Sequence, residues 1–206
     1  YTPTANITLY AKWTKAVSDL TITLSQENFV YSGNAQAPTI TVKDGNITLT
    51  QGSGQDVTVS HSGNTNVGTA TATIDGNSLY NSTTHAFYVG RTTSNYYINN
   101  VKVTFNSTAN GGTTSGTGYV YTRKNATEVY TGIRSTTTTS IPTATKQYYN
   151  CTGCSTQASG GSKVLNADGT FTGSAVTGYT TASTWDVTED KTLYAQFEVA
   201  TCMAIS

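Results

Sequence analysis

Apolar and polar residues alternate in short bursts along most of the chain. Leu20, Ile22 and Leu24 fall on one side of an extended segment, and Val101, Val103 and Phe105 on one side of another. A period of two residues is the mark of a strand with one buried face. The same alternation marks Thr39–Val42, Ile47–Thr50, Val57–Val59, Val67–Ile74 and His85–Val89 in the first half. In the second half it marks Tyr96–Ile98, Gly118–Tyr121, Glu128–Tyr130 and Thr192–Phe197. Turn chemistry separates the bursts. Lys43-Asp44-Gly45-Asn46 is an Asp-Gly hairpin signal, Asn110-Gly111-Gly112 a turn, and Asn166-Ala167-Asp168-Gly169 a tight turn into a short strand. Between residues 18 and 90 the turns recur at about the 8–12-residue spacing of a β-sandwich. Ser135–Ser140 reads as a low-complexity loop, and Pro142 holds Ile141–Lys146 out of helix.

One strand pattern occurs twice. Thr8-Leu9-Tyr10-Ala11-Lys12-Trp13 and Thr192-Leu193-Tyr194-Ala195-Gln196-Phe197 share their first four residues and close on an aromatic ring. A repeated final strand implies a repeated module. The expected organisation is a terminal strand of a preceding repeat, or a donor arm, over 1–14. A first domain follows over 18–90, with the polar stretch Arg91–Asn95 as the boundary, then a second domain over 95–199 and a tail over 200–206. Thr8, Leu9, Tyr10, Ala11 and Trp13 are the candidate inter-module strand.

Composition narrows the class. The chain has 14 Tyr, 19 Gly, 3 Pro and abundant Thr, with charged residues at only 11%. Thr and Tyr suit half-solvated pleated surfaces and Gly suits turns, so the expectation is an all-β protein. Lys and Arg number 11 against 11 Asp and Glu. That balance offers no basic stripe for nucleic acid and no polybasic segment for a membrane surface. No apolar run approaches the roughly 18 residues of a membrane span. A Thr-rich, charge-poor surface points to an extracellular, cell-surface setting. No signal peptide is visible, so the expectation is a processed chain or an internal piece.

The residues that carry chemistry elsewhere are scattered here. Asp19, Glu27, Asp44, Asp56, Asp75, Glu128 and Asp168 form no recognisable pair of the kind a glycosidase needs. His61 and His85 lie in no nucleophile motif; His85 reads as structural and His61 as an exposed turn residue. The expectation is no enzyme, cofactor or metal site. The three cysteines, Cys151, Cys154 and Cys202, are disulfide candidates. The pattern is open to a bridge involving Cys202, a Cys151–Cys154 bridge or a metal half-site, the last lacking a second pair of ligands. Tripeptides beginning at Asn6, Asn46, Asn81, Asn106, Asn125 and Asn150 fit the glycosylation acceptor pattern, which Thr-rich sheets generate by chance.

Two resemblances add to this. Phe29-Val30-Tyr31-Ser32-Gly33 with Ala37-Pro38, then Val57-Thr58-Val59-Ser60 and Asn64-Thr65-Asn66-Val67-Gly68-Thr69-Ala70, resembles the bacterial Ig-like modules of large surface proteins. It departs from them at Gln55-Asp56 and Ser60-His61. The second half is similar to the Listeria–Bacteroides repeat, or internalin B-repeat. The matching residues are Val103-Thr104-Phe105, Asn110-Gly111-Gly112, Ile141–Lys146, Tyr149–Thr156 and Lys191–Phe197. That resemblance implies a β-grasp-like fold in an adhesive surface protein. Cys151 stands where the family places Phe and Cys154 where it places Trp, and Phe197 replaces a closing Trp. Truncating a buried ring costs about 3–5 kcal/mol, and a disulfide restores about 2–4 kcal/mol. The resemblance therefore implies that at least one of Cys151 and Cys154 is bridged, with Cys202 the nearest candidate; the rival is two reduced, buried thiols.

The function expected is a structural or adhesive segment of an extracellular bacterial surface protein, a stalk or display module. Its partners would be neighbouring copies or modules, or a glycan or protein of a host or cell surface. The alternatives are a filament subunit joined by strand addition of residues 1–14, and a carbohydrate-binding module using Tyr96, Tyr97, Tyr119 and Tyr121.

Overall fold

A computed structural model describes residues 11–201. Nineteen strands and two single-turn 3₁₀ segments make up its regular structure; no α-helix occurs among the described residues. The strands are β1 (Thr14–Ala16), β2 (Thr21–Leu24), β3 (Asn28–Val30), β4 (Ile40–Asp44), β5 (Ile47–Thr48) and β6 (Val57–Ser62). Next come β7 (Gly68–Gly76), β8 (Tyr80–Asn81), β9 (Ala86–Val89), β10 (Arg91–Asn99), β11 (Val101–Asn106), β12 (Thr113–Thr114) and β13 (Tyr119–Thr122). The last are β14 (Val129–Tyr130), β15 (Thr138–Thr139), β16 (Ala144–Thr145), β17 (Tyr149–Ser155), β18 (Lys163–Asn166) and β19 (Lys191–Val199). No described helix is long and apolar enough to cross a membrane.

The described chain divides into two compact units: residues 11–27, 37–63 and 69–96, and residues 28–36, 64–68 and 97–201. Arg91–Asn95, the expected boundary, forms the first part of β10, and the division between the units falls just after it, at 96/97. The stretch is polar, but its burial alternates, with Thr92 and Ser94 half-buried between exposed Arg91, Thr93 and Asn95. Hydroxyl side chains are tolerated in that position, so a strand forms without an apolar stripe.

The first unit has the several short sheets of a β-sandwich-like architecture. β2, β4 and β5 form an antiparallel meander. The expected Asp-Gly turn closes β4 onto β5, with Asp44 opposite Ile47 and Gly45 at φ 57°. β6 and β7 pair antiparallel from Val57↔Gly76 to Ser62↔Thr71. β1 lies parallel on β9, which pairs antiparallel with β8. Alternate residues of these strands, with Tyr96 of β10, supply the buried set: Ile40, Val42, Val57, Ala70, Ala72, Ile74, Ala86 and Tyr88.

The second unit is built on one mixed sheet of seven strands, in the order β15-β14-β13-β11-β19-β17-β18. β11 and β19 are parallel, with Val103 opposite Lys191 and Asn106 opposite Tyr194; the other ladders are antiparallel. Val103, Phe105, Val120, Leu165 and Leu193 line one core with Trp185 and Val187. Phe171 meets the Trp185 ring edge-on at 5.6 Å between centroids. The central strand is tied further. Asn110 Nδ2 donates to Ala195 O at 2.8 Å, and Lys102 N donates to Asp190 Oδ1 at 2.8 Å. Gly112 allows the 3₁₀ turn to sit on this strand, since a Cβ there would lie 2.5 Å from Phe197 Cζ.

Leu193 is fully buried in the central strand, so Leu193→Ala should destabilise the second unit by about 2–5 kcal/mol. The urea midpoint read through fluorescence of buried Trp185 measures this, with Trp13 replaced by Phe to remove its background. A change below about 0.5 kcal/mol would contradict the central place given to β19.

Candidate functional site

Two features of the described surface have the makings of a site, one in each unit. In the first unit, Lys12, Trp13, Tyr80, His85 and Phe87 surround an open, mostly apolar depression. Trp13 is 70% exposed and Tyr80 55% exposed. The Tyr80 and Phe87 rings lie 5.3 Å apart, and Lys12 Nζ sits 4.6 Å over Phe87. The Tyr80 hydroxyl is 3.0 Å from His85 Nδ1. The backbone bond from Phe87 N to Trp13 O, at 2.8 Å, fixes the entering chain against β9.

The loop that presents Tyr80 and His85 is held from beneath. Asn81 Oδ1 accepts from Thr83 N at 2.9 Å and Thr84 N at 3.1 Å, and its Nδ2 donates to Asp56 Oδ1 at 3.0 Å. Asp56 is buried and also accepts from Thr50 N at 2.8 Å and Thr50 Oγ1 at 2.7 Å. Burial pushes the Asp56 carboxyl up, but the bonds from Thr50 and Asn81 outweigh it and hold it below the usual carboxylate range. Nearby, the Tyr88 hydroxyl lies 2.9 Å from Asp44 Oδ2, to which it donates, and 2.7 Å from Thr84 Oγ1. Burial pushes the Tyr88 phenol up to about 12, and Asp44 adds to the rise. The Asp44 carboxyl is lowered chiefly by its hydrogen-bonded ion pair with Lys15. His85 itself has φ 55°, a left-handed conformation that a non-glycine residue adopts only when its surroundings enforce it.

In the second unit, Cys151 and Cys154 line a small cavity of about 80 Å³ together with Phe105, Ile141, Pro142, Leu165 and Ala195. Cys154 is buried and Cys151 half-buried. Both are free thiols, and no bridge joins them. Cys202 lies outside the described residues. The cavity leaves part of this core unfilled. At about 24 cal/mol per Å³ it costs roughly 2 kcal/mol. Leu165, itself fully buried, forms part of its wall.

The other expected site residues are distributed as follows. Thr8, Leu9 and Tyr10 lie outside the described residues; Ala11 and Trp13 are exposed and not in a strand, the ladder starting one residue later at Thr14. Of the four tyrosines expected as a glycan face, Tyr96 is fully buried and bonded to His61 Nδ1 at 3.1 Å. Tyr97 is half-buried with the Arg134 guanidinium 3.9 Å over its ring, and Tyr121 is half-buried edge-on to Tyr119. Only Tyr119 is exposed, under Lys102. His61 belongs to β6 rather than a turn, and His85 is exposed beside Tyr80 rather than packed inside. Sequence reasoning missed the cluster because its residues are some seventy positions apart and only the β1–β9 pairing joins them. No three His, Cys, Asp or Glu side chains converge among the described residues.

No protein-family model matches the chain, and neither a curated protein nor a solved structure matches it.

Because folding lowers the Asp56 and Asp44 carboxyls, their stabilisation is fully present above the unfolded carboxylate value, near pH 4. It is lost as pH falls through the folded values. Thermal unfolding of the first unit should therefore drop in midpoint below about pH 4. Asp56→Asn should cost on the order of 2–3 kcal/mol at neutral pH and flatten that acid-side slope. An unchanged slope in the variant would remove Asp56 from the account.

Proposed function

We propose that the chain is a force-carrying structural and adhesive segment of an extracellular bacterial surface protein. In this reading an Ig-like unit is followed by a B-repeat-like, β-grasp-like unit, strung as a stalk or display module. One observation carries the reading: the first and last strands of the second unit's sheet, β11 and β19, are parallel neighbours. Tension entering at the start of β11 and leaving at the end of β19 acts on opposite ends of that ladder. It loads the interstrand bonds together, in shear, where an antiparallel pair pulled from one end would open bond by bond. β1 on β9 repeats the parallel arrangement in the first unit. The neutral, hydroxyl-rich surface supports an extracellular setting, and neighbouring modules or copies are the natural partners.

A second reading, carbohydrate binding, is favoured by the aromatic cluster at Trp13 rather than by the tyrosines first expected. Exposed rings offer faces to the C–H side of a sugar, while His85 and Lys12 supply polar contacts at the edge.

Single-molecule stretching tests the first reading. The full chain pulled by its ends should open the second unit at higher force than the same chain pulled through residues 148 and 200. There Ala200 N donates to Tyr148 O and the β17–β19 ladder unzips from one end. Equal forces in the two geometries would rule the stalk reading out. For the second reading, neutral oligosaccharides should shift the emission of exposed Trp13 saturably, with the response lost in Tyr80→Ala. No response to glucose-, galactose-, mannose- or N-acetylglucosamine-based oligomers would dismiss it.

A further inference from the structure

We infer that Cys151 and Cys154 form a thiol-oxidation site, closed into a disulfide within strand β17 by exchange with a low-molecular-mass disulfide.

A Cys-x-x-Cys in a regular strand would place its thiols on opposite faces, because side chains alternate. Here the register breaks. Cys151 is opposite Phe197, Gly153 is opposite Gln196, and Cys154 is opposite Ala195. Three residues of β17 therefore span two of β19, with Thr152 the extra one in a β-bulge. Phe197 and Ala195 are two positions apart and share a face, so the cysteines opposite them do too. Gly153 makes this possible: it has φ 130°, and a Cβ there would lie 2.2 Å from Leu165 O. Both thiols border the same cavity, and the Cys151 thiol donates towards Gly153 O at 3.9 Å. Two register positions span about 6.6–6.8 Å of strand. That is the upper end of disulfide Cα separations, and the bend a bulge puts into its strand shortens it.

The two thiols have different roles. Half-buried Cys151 is the entry point: its thiolate attacks one sulfur of the small disulfide, forming a mixed disulfide and expelling one small thiolate. Cys154 then loses its proton and attacks the Cys151 sulfur, expelling the second. Two protein thiols and one small disulfide become one protein disulfide and two small thiols, and no further oxidant is required. Burial first, and then the neighbouring Cys151, push the Cys154 thiol up to about 12. Among the cavity's surroundings the other ionisable groups are Asp168, on the 166–169 turn, and Lys163, whose Cε packs where a Gly153 side chain would stand. The second step is therefore the slow one, and it quickens as pH rises because more of Cys154 is thiolate.

The test uses the full folded chain in oxidised glutathione, quenched at intervals, alkylated and cleaved with trypsin. Cys151 and Cys154 fall in one peptide, 147–163, between Lys146 and Lys163, and Cys202 falls in another. The expected result is a glutathione adduct on 147–163 that converts to a peptide two hydrogens lighter and closed to alkylation. Conversion should be about tenfold faster per pH unit between pH 7 and 9. Cys154→Ser should stop at the adduct, and Cys151→Ser should form neither product on this peptide. Retention of two alkylatable thiols, an adduct that never resolves, or a link from 147–163 to the Cys202 peptide would each overturn the proposal. Near-UV circular dichroism before oxidation confirms that each variant is folded.

Discussion

The second unit depends on one pairing, the parallel ladder between β11 and β19. Parallel neighbours cannot be joined by a tight turn, so everything between Asn106 and Lys191 must leave the sheet's centre and return to it. That constraint places β13, β14 and β15 outward from β11 and β17 and β18 outward from β19. It also explains why the bonds from Asn110 to Ala195 and from Lys102 to Asp190 converge on the central pair. They tie down the starts of both strands and the middle of β19, whose position the remaining five inherit.

In the first unit the organising device is polar. Buried Asp56 is bonded by Thr50 and Asn81, so its burial cost is offset and the loop above it is tied down through Asn81. That loop holds His85 in a left-handed conformation and sets Tyr80 beside Phe87. The anchor of that loop is a carboxylate that the local sequence pattern does not set apart from the other scattered acids.

The two thiols show a related economy of position. A small cavity lies beside them, and the bulge at Thr152 puts both cysteines on its side of β17. The same glycine that permits the bulge forbids any side chain at its own position, because Leu165 O and the Lys163 chain already occupy the space. The second unit therefore carries a local defect in packing beside the strand on which its topology turns.

The sequence by itself determined the all-β class, most strand positions, the Asp44–Gly45 hairpin and the apolar faces of β2, β11 and β19. These follow from local alternation and turn chemistry, which need no distant partner. Only the tertiary structure decided the rest. Arg91–Asn95 became strand because a half-buried hydroxyl row is acceptable where a neighbouring strand supplies the ladder. Tyr96 went inside and Trp13 stayed outside, although both sit in similar aromatic-bearing stretches, because the face a strand buries is set by what packs against it. The shared face of the two thiols likewise depends on a register shift against β19, a pairing some forty residues away that no local pattern encodes.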